Sequence, residues 1–469
     1  MKKIYALVIA LIILTGSAFS VIGYSVNRER DRVKISENIL YGNKEEALGL
    51  KIVNRNHLNF RLFWETEYKI GKENSYKTNF NYTPKQIVLS GGAEREGVTC
   101  YNNIDSGFYH DTPIEKQTGI GKAFKELYDS VGPDETKYKT VYLSDYYDYY
   151  PIGVSFDLPH AYWEEPYFTT KDSPNSTKYV AKKFAEFFKI PVKEDDKVTI
   201  DISKDSDGES FSRGIDFTQS FDFYTTSAVA EKRNRCFFSI CNFRNVGGSS
   251  EKDYIDTSLI PGGYGIYAFY YTGGDSGERT GIMADTLQTV YKLDKETSVF
   301  DLGISYDKTK LLMYTHEEDV SYLSVIDVDT MKLLQKIKIG DSSVHSIHEY
   351  DDFIVAESEF EITVISSENQ KYKTEYTVAK AYVTNDKFQD LWFTDCMDYK
   401  NGKLVAVGNY VNEDDGFGYE KCGFFVSVYN ENGLSYYAEY ENSLDTNIKG
   451  DYDKQCRPAF NKPNTVEWE

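Results

Sequence analysis

The sequence predicts an all-β chain: a β-propeller of six to eight four-stranded blades with short helical insertions, after one N-terminal transmembrane helix. Three observations carry this reading. The chain holds 40 tyrosines and 28 phenylalanines in 469 residues, and aromatic residues suit half-buried pleated surfaces. Apolar and polar residues alternate with a period of two, as in Leu58, Phe60, Leu62 and Trp64, the pattern of a strand with one wet face. Finally, a tyrosine-centred turn stands before GIYAFYY (Tyr264), KLLMYTH (Tyr306), DFIVAESE (Tyr350) and KLVAVGN (Tyr399), in steps of 42, 44 and 49 residues. A strand before each turn and two after it make four per ~40–50 residues, the period of a propeller blade.

Taken in order, the chain starts with an uncharged run, residues 4–26. A helix of this length crosses a ~30 Å hydrocarbon core at about 1.5 Å per residue. The run continues past the small residues Ala18 and Ser20, which favours an uncleaved anchor (1–27) over a removed leader. Lys2 and Lys3 precede it and Arg28, Arg30, Arg32 and Lys34 follow it, so charge alone does not orient it. A very short tail before an apolar helix is the usual form of an export signal, and long domains translocate largely regardless of charge. The expected place is the cell membrane, single-pass, with the bulk outside the cytoplasm and the lipid bilayer as partner of residues 4–26.

Residues 28–46 are charged and read as a stalk. Residues 47–460 are assigned to the propeller, or to a propeller plus a separate β-sandwich in the less regular N-terminal part. Residues 461–469 are read as a C-terminal tail. Two stretches have helical spacing: 118–131, with Ile120, Phe124, Leu127 and Tyr128, and 176–189, with Val180, Phe184 and Phe188. Isolated among strands, they read as insertions or covers, not as βαβ crossovers.

The formal net charge of −21 argues against nucleic acid, which needs clustered Lys and Arg. Six cysteines are present, without a CxxC pair, so neither a zinc ribbon nor a thioredoxin-like site is expected. Cys396 and Cys422 fall in one sheet unit and are the candidate disulfide, with packed free thiols as the competing reading. Gly274-Asp275-Ser276-Gly277 resembles the loop of a serine nucleophile but stands where a blade needs a turn. SKDSDGESF (203–211) is one residue too long for the Asp box of sialidase-type propellers, has Ser203 and Gly214 where a calcium loop needs ligands, and reads as a hairpin turn. His345 and His348 would face opposite sides of a strand. No metal and no cofactor are expected.

The most unusual stretch is DYYDYYPIGVSFDLPHAYWEEPYF (145–168). Alternation cannot bury all its rings on one face, so Tyr146, Tyr147, Tyr149, Tyr150, Tyr162 and Trp163 are the candidate binding residues for a glycan or a peptide. The competing reading is an insertion packed on its own sheet.

The unit LSVIDVDTMKLLQKIKIG (323–340) resembles blades of YVTN-type bacterial β-propellers. The segment ILYGNKEEALGLKIVNRNHLNFRLFWETEYKIG (39–71) resembles the opening of a group of membrane-anchored Gram-positive envelope proteins without an assigned activity. The resemblance implies a propeller and an envelope location and carries no catalytic residue. The function expected is non-catalytic binding of an envelope partner protein or glycan. The alternatives are a polysaccharide hydrolase or lyase, and a sensor coupled to a cytoplasmic regulator.

Overall fold

The computed structural model describes residues 11–18, 20–21, 24, 34–58, 62–82, 97–104, 107–158, 177–208, 210–217, 224–245, 252–272, 281–341, 343–368, 371–380, 382–384, 387–388, 394–409, 423–442, 456–458 and 464–469. They divide into two compact units, residues 1–93 with 346–469, and residues 94–345. Antiparallel strands dominate both, and five sheets hold four or five strands each along their hydrogen-bonded path.

In the first unit, sheet I joins Leu50–Leu58, Leu62–Lys69 and Ser75–Tyr82. Sheet IV joins Val344–Glu349, Phe353–Ser358, Glu361–Glu368 and Lys371–Ala379, and the boundary between the units falls within its first strand. Sheet V joins Thr394–Lys400, Lys403–Asn409, Gly423–Asn430 and Gly433–Asn442. Sheet V is covered on both faces. Leu404 and Ala406 pack on Phe353, Val355 and Ile362 of sheet IV, while Val405 and Val407 pack on Leu50, Ile52 and Tyr68 of sheet I. That double burial is why KLVAVGN reads as an unbroken apolar run instead of alternating.

Both chain ends are woven into this unit. Ile35–Gly42 adds to sheet V beside Gly433–Asn442. Cys456–Pro458 and Thr465–Trp468 both pair with Leu50–Leu58 of sheet I. The segments read as a stalk and a tail are therefore partly strand. Their charges misled because an edge strand shows many side chains to water, and burial along Ile35–Gly42 is only intermittent.

In the second unit, sheet II joins Thr225–Ala230, Arg235–Ile240, Gly265–Thr272 and Gly281–Lys292. Sheet III joins Thr297–Ile304, Lys310–Glu317, Val320–Asp327 and Leu333–Gly340. The two pack through Phe237, Ile266 and Ala268 against Val299, Leu311 and Met313. Between them, Arg233 grips Asp329 with Nε to Oδ1 at 2.9 Å and Nη2 to Oδ2 at 2.8 Å. The Tyr264 phase is displaced: GIYAFYY is the third strand of sheet II, not the second, because Thr225–Ala230 and Arg235–Ile240 both precede it, with a hairpin (Phe243–Asn245 with Lys252–Tyr254) between Arg235–Ile240 and GIYAFYY.

The backward extrapolation of blades meets a different build over residues 97–217. Gly97–Asn102 pairs with Ile152–Asp157, and Thr136–Tyr142, Lys197–Lys204 and Phe211–Phe217 form a three-stranded sheet. Helices α1 (Gly121–Ser130) and α2 (Thr177–Phe187) belong to the same region. Phe124, Leu127, Phe184 and Phe188 share one core with Val198, Ile200, Ile202 and the Cys236, Phe238 and Ile240 face of sheet II. The helices are thus structural layers.

Residues 11–18 are helical, with Leu11, Ile12, Ile13 and Leu14 exposed. Among the described residues, no helix is long and apolar enough to cross a membrane, and much of 4–26 lies outside them. The Cys396–Cys422 bond is not made. Cys396 carries a thiol whose Sγ faces the Val407 carbonyl at 4.0 Å, and Cys422 lies outside the described residues.

Candidate functional site

The tyrosine-rich stretch begins with a single helical turn, Leu143–Asp145. Tyr146 is half-buried, and burial pushes its phenol up against the opposing effect of Lys139. Tyr147 is a staple. Its hydroxyl donates to the Ile104 carbonyl at 3.0 Å and accepts the Ile120 N–H at 3.0 Å. Ile120 precedes α1 without a side-chain cap of its own, so Tyr147 satisfies one of the orphan donors there. Gly119 has φ +51° and lies against the Tyr147 ring, where a Cβ would overlap it.

Tyr150 is buried, and its hydroxyl donates to the Asp196 carboxylate. The same Asp196 oxygen accepts the Lys193 N–H at 3.0 Å. Tyr149 is 40% exposed, bridges Pro191 through its backbone, and has the Lys189 ammonium 5.7 Å from its ring centre. Tyr162 and Trp163 lie outside the described residues. The described tyrosines therefore do not form one exposed platform. Tyr147 and Tyr150 turn inward because their hydroxyls find buried polar partners, leaving Tyr149 as the open ring.

Beside Tyr150 lies a pocket of about 230 Å³ lined by Tyr150, Pro191, Val192, Lys193, Ile255 and Asp256. Two backbone bonds build it: Val192 N–H to the Asp148 carbonyl at 3.2 Å, and Ile255 N–H to the Asn242 carbonyl at 2.7 Å. The Lys193 ammonium pairs with Asp253. Asp256 accepts the Ser258 N–H at 2.9 Å, and hydrogen bonding with Ser258 holds its carboxyl below the usual range. The walls thus offer apolar surface, one cation and one anion, suited to a small ligand with few polar groups. Lys193, Ile255 and Asp256 carry no local sequence signal, since their meeting depends on distant loops.

A second cluster lies in sheet IV. Lys380 pairs with Glu357, and His348 Nε2 stands 3.8 Å from the other Glu357 oxygen and 3.3 Å from Ser346 Oγ. The Lys380 and Glu357 side chains are almost wholly buried, while the His348 ring beside them is partly exposed. His345 is exposed and His348 half-buried. Among the described residues, no group of three metal-ligating side chains comes together. Asp205, at the tip of the Lys197–Lys204 to Phe211–Phe217 hairpin, accepts the Ser210 N–H at 3.2 Å, which is turn chemistry. The Gly274–Gly277 motif lies outside the described residues.

No family model matches the sequence, and no curated protein does. Among solved structures, a chain of a mitotic checkpoint complex superposes with a TM-score of 0.23 at 9% identity, over 44% of this chain and 60% of that one. Kluyveromyces lactis Hsv2 gives 0.20 at 9% identity, over 45% and 61%. The Myceliophteria thermophila Cps50 (Swd1) β-propeller domain gives 0.23 at 8% identity, over 51% and 79%. The chain spans about three fifths of the first two. At these scores the superpositions carry no functional argument.

Proposed function

We propose that this chain is a membrane-anchored, non-catalytic binding protein of β-propeller type, with its bulk outside the cytoplasm, taking an envelope partner protein or glycan. Sheets I to V, stacked face to face within their units, support the propeller. Leu11, Ile12, Ile13 and Leu14, exposed around one full helical turn, support the anchor, since bare Leu and Ile in water are unfavourable and lipid would cover them.

The observation that carries binding over catalysis is the state of the charges around the Tyr150 pocket. Lys193 is neutralised by Asp253, and Asp256 is held by Ser258. Acid–base chemistry needs a group poised near the working pH, and a carboxyl held low is a weak base. The test is sedimentation of the full-length chain with purified wall glycan and with solubilised envelope proteins, compared with the Lys193→Ala, Asp256→Ala double variant. The proposal expects retention that the double variant loses. Release of soluble reducing ends from the glycan would overturn the non-catalytic reading. For the anchor, a reporter enzyme active only outside the membrane, fused after Glu469, is expected to be active; a stable but silent fusion would refute the orientation.

A further inference from the structure

The three-stranded sheet of the second unit has one face in the core and one in water. The core face carries Val141, Val198, Ile200 and Ile202 against α1. The water face is ordered in rows by the strand register: Thr136, Ser203 and Ser212; Tyr138, Asp201 and Gly214; Thr140, Thr199 and Asp216; Tyr142 and Lys197. It holds no aliphatic side chain. Tyr138 is 70% exposed and Tyr142 50%. Four residues apart on one strand, they stand about 13 Å from each other on the same side.

The floor between the rings is made of hydroxyls. Thr140 and Thr199 Oγ1 atoms are 3.2 Å apart there, and beyond Tyr138 the Thr136 Oγ1 donates to Ser203 Oγ at 2.8 Å. The Asp201 carboxylate lies over Gly214, where a Cβ would overlap its Oδ1. The glycine lets the carboxylate lean away from Tyr138 and leaves the space beside that ring open.

We propose that this face binds a neutral glycan chain, with Tyr138 and Tyr142 stacking on sugar rings and Asp201, Thr140 and Thr199 bonding their hydroxyls. A sugar ring presents C–H bonds on its flat side and hydroxyls on its edge, so it needs flat aromatic faces beside polar acceptors. A protein partner would call for an apolar interface centre, which this face lacks. A polyanion would meet two carboxylates, Asp201 and Asp216, against the single Lys197, in a chain of net charge −21. The site does not share residues with the Tyr150 pocket, so either can fail without the other.

The test is calorimetric titration of the full-length chain with cellohexaose, chitohexaose and maltohexaose. At least one is expected to bind. The Tyr138→Ala, Tyr142→Ala double variant is expected to bind it about tenfold more weakly. The double Phe variant keeps the rings and is expected to retain most of the affinity. Tyr109→Ala alters an equally exposed ring elsewhere and is expected to bind as the parent does. Absence of binding to all three glycans would overturn the proposal, as would equal affinities for the Ala and parent chains, or stronger binding to a sulfated polysaccharide.

Discussion

At the scale of single residues, the clearest polar commitment is Glu37. It sits on the N-terminal strand and accepts from Lys44 Nζ at 2.7 Å, Asn74 Nδ2 at 3.0 Å, Tyr440 Oη at 2.9 Å and Tyr436 Oη at 3.2 Å. Burial works to raise its carboxyl, but the hydrogen bonds of Lys44, Tyr440 and Asn74 and the Lys44 charge hold it below the ordinary value. A carboxyl depressed on folding stabilises the fold above its unfolded value, and that contribution is lost as pH falls through the folded one. Glu37→Gln is therefore expected to lower stability by about 2 kcal/mol at neutral pH. The gap between variant and parent should narrow as pH falls below the ordinary glutamate value of about 4.3, where the unfolded chain takes up a proton that the folded carboxyl still lacks. Urea melts at a series of pH values would show this; a gap constant with pH would exclude the ionic role. Nothing in the sequence announced Glu37, because its partners come from positions 44, 74, 436 and 440.

At the scale of elements, strands were legible where burial is one-sided or complete, and phases were legible where no insertion intervened. The 323–340 unit is the third and fourth strands of sheet III, with Asp327 Oδ1 accepting the Thr330 N–H at 2.7 Å in its turn. Tyr264 misled because the 42-residue step lands before the third strand of sheet II, and a tyrosine before a turn has no fixed structural role: Tyr264 is buried and Tyr306 exposed. The helical spacing of Phe124 and Phe184 marked real helices but not their core position, which depends on partners in sheet II. Element ends can be tested through glycine. Gly42 has φ +73°, and a Cβ there would overlap the Ser435 carbonyl; Gly49 has φ +87° with open space around it. Both Ala variants lose the left-handed backbone preference of glycine, at about 1 kcal/mol, and only Gly42→Ala adds a steric clash. The expected order in thermal melts is parent, Gly49→Ala, Gly42→Ala; equal losses would mean that the contact between the two strands does not constrain the N-terminal one.

At the scale of the molecule, the two chain ends exchange places within the first unit. The N-terminal strand completes the C-terminal sheet, pairing Ile35 with Asn442, and the last strand edges the N-terminal sheet, pairing Leu50 with Trp468. Pairings of such sequence separation carry the largest loop-closure cost and form after local sheets are in place. Asn464 fastens the C-terminal end: its Oδ1 accepts the Arg55 N–H at 2.7 Å and Asn54 Nδ2 at 3.3 Å, and its Nδ2 donates to Asp395 at 2.7 Å. Deleting residues 464–469 would leave Leu50–Val53 with a bare edge and bury Asn54 with a lost partner. Bare strand edges recruit other strands. The truncated chain is expected both to melt earlier and to self-associate in light scattering. Asn464→Ala is expected only to melt earlier, since Thr465–Trp468 still covers the edge. A truncated chain that stays monomeric would show that edge protection in sheet I does not depend on the C-terminal strand.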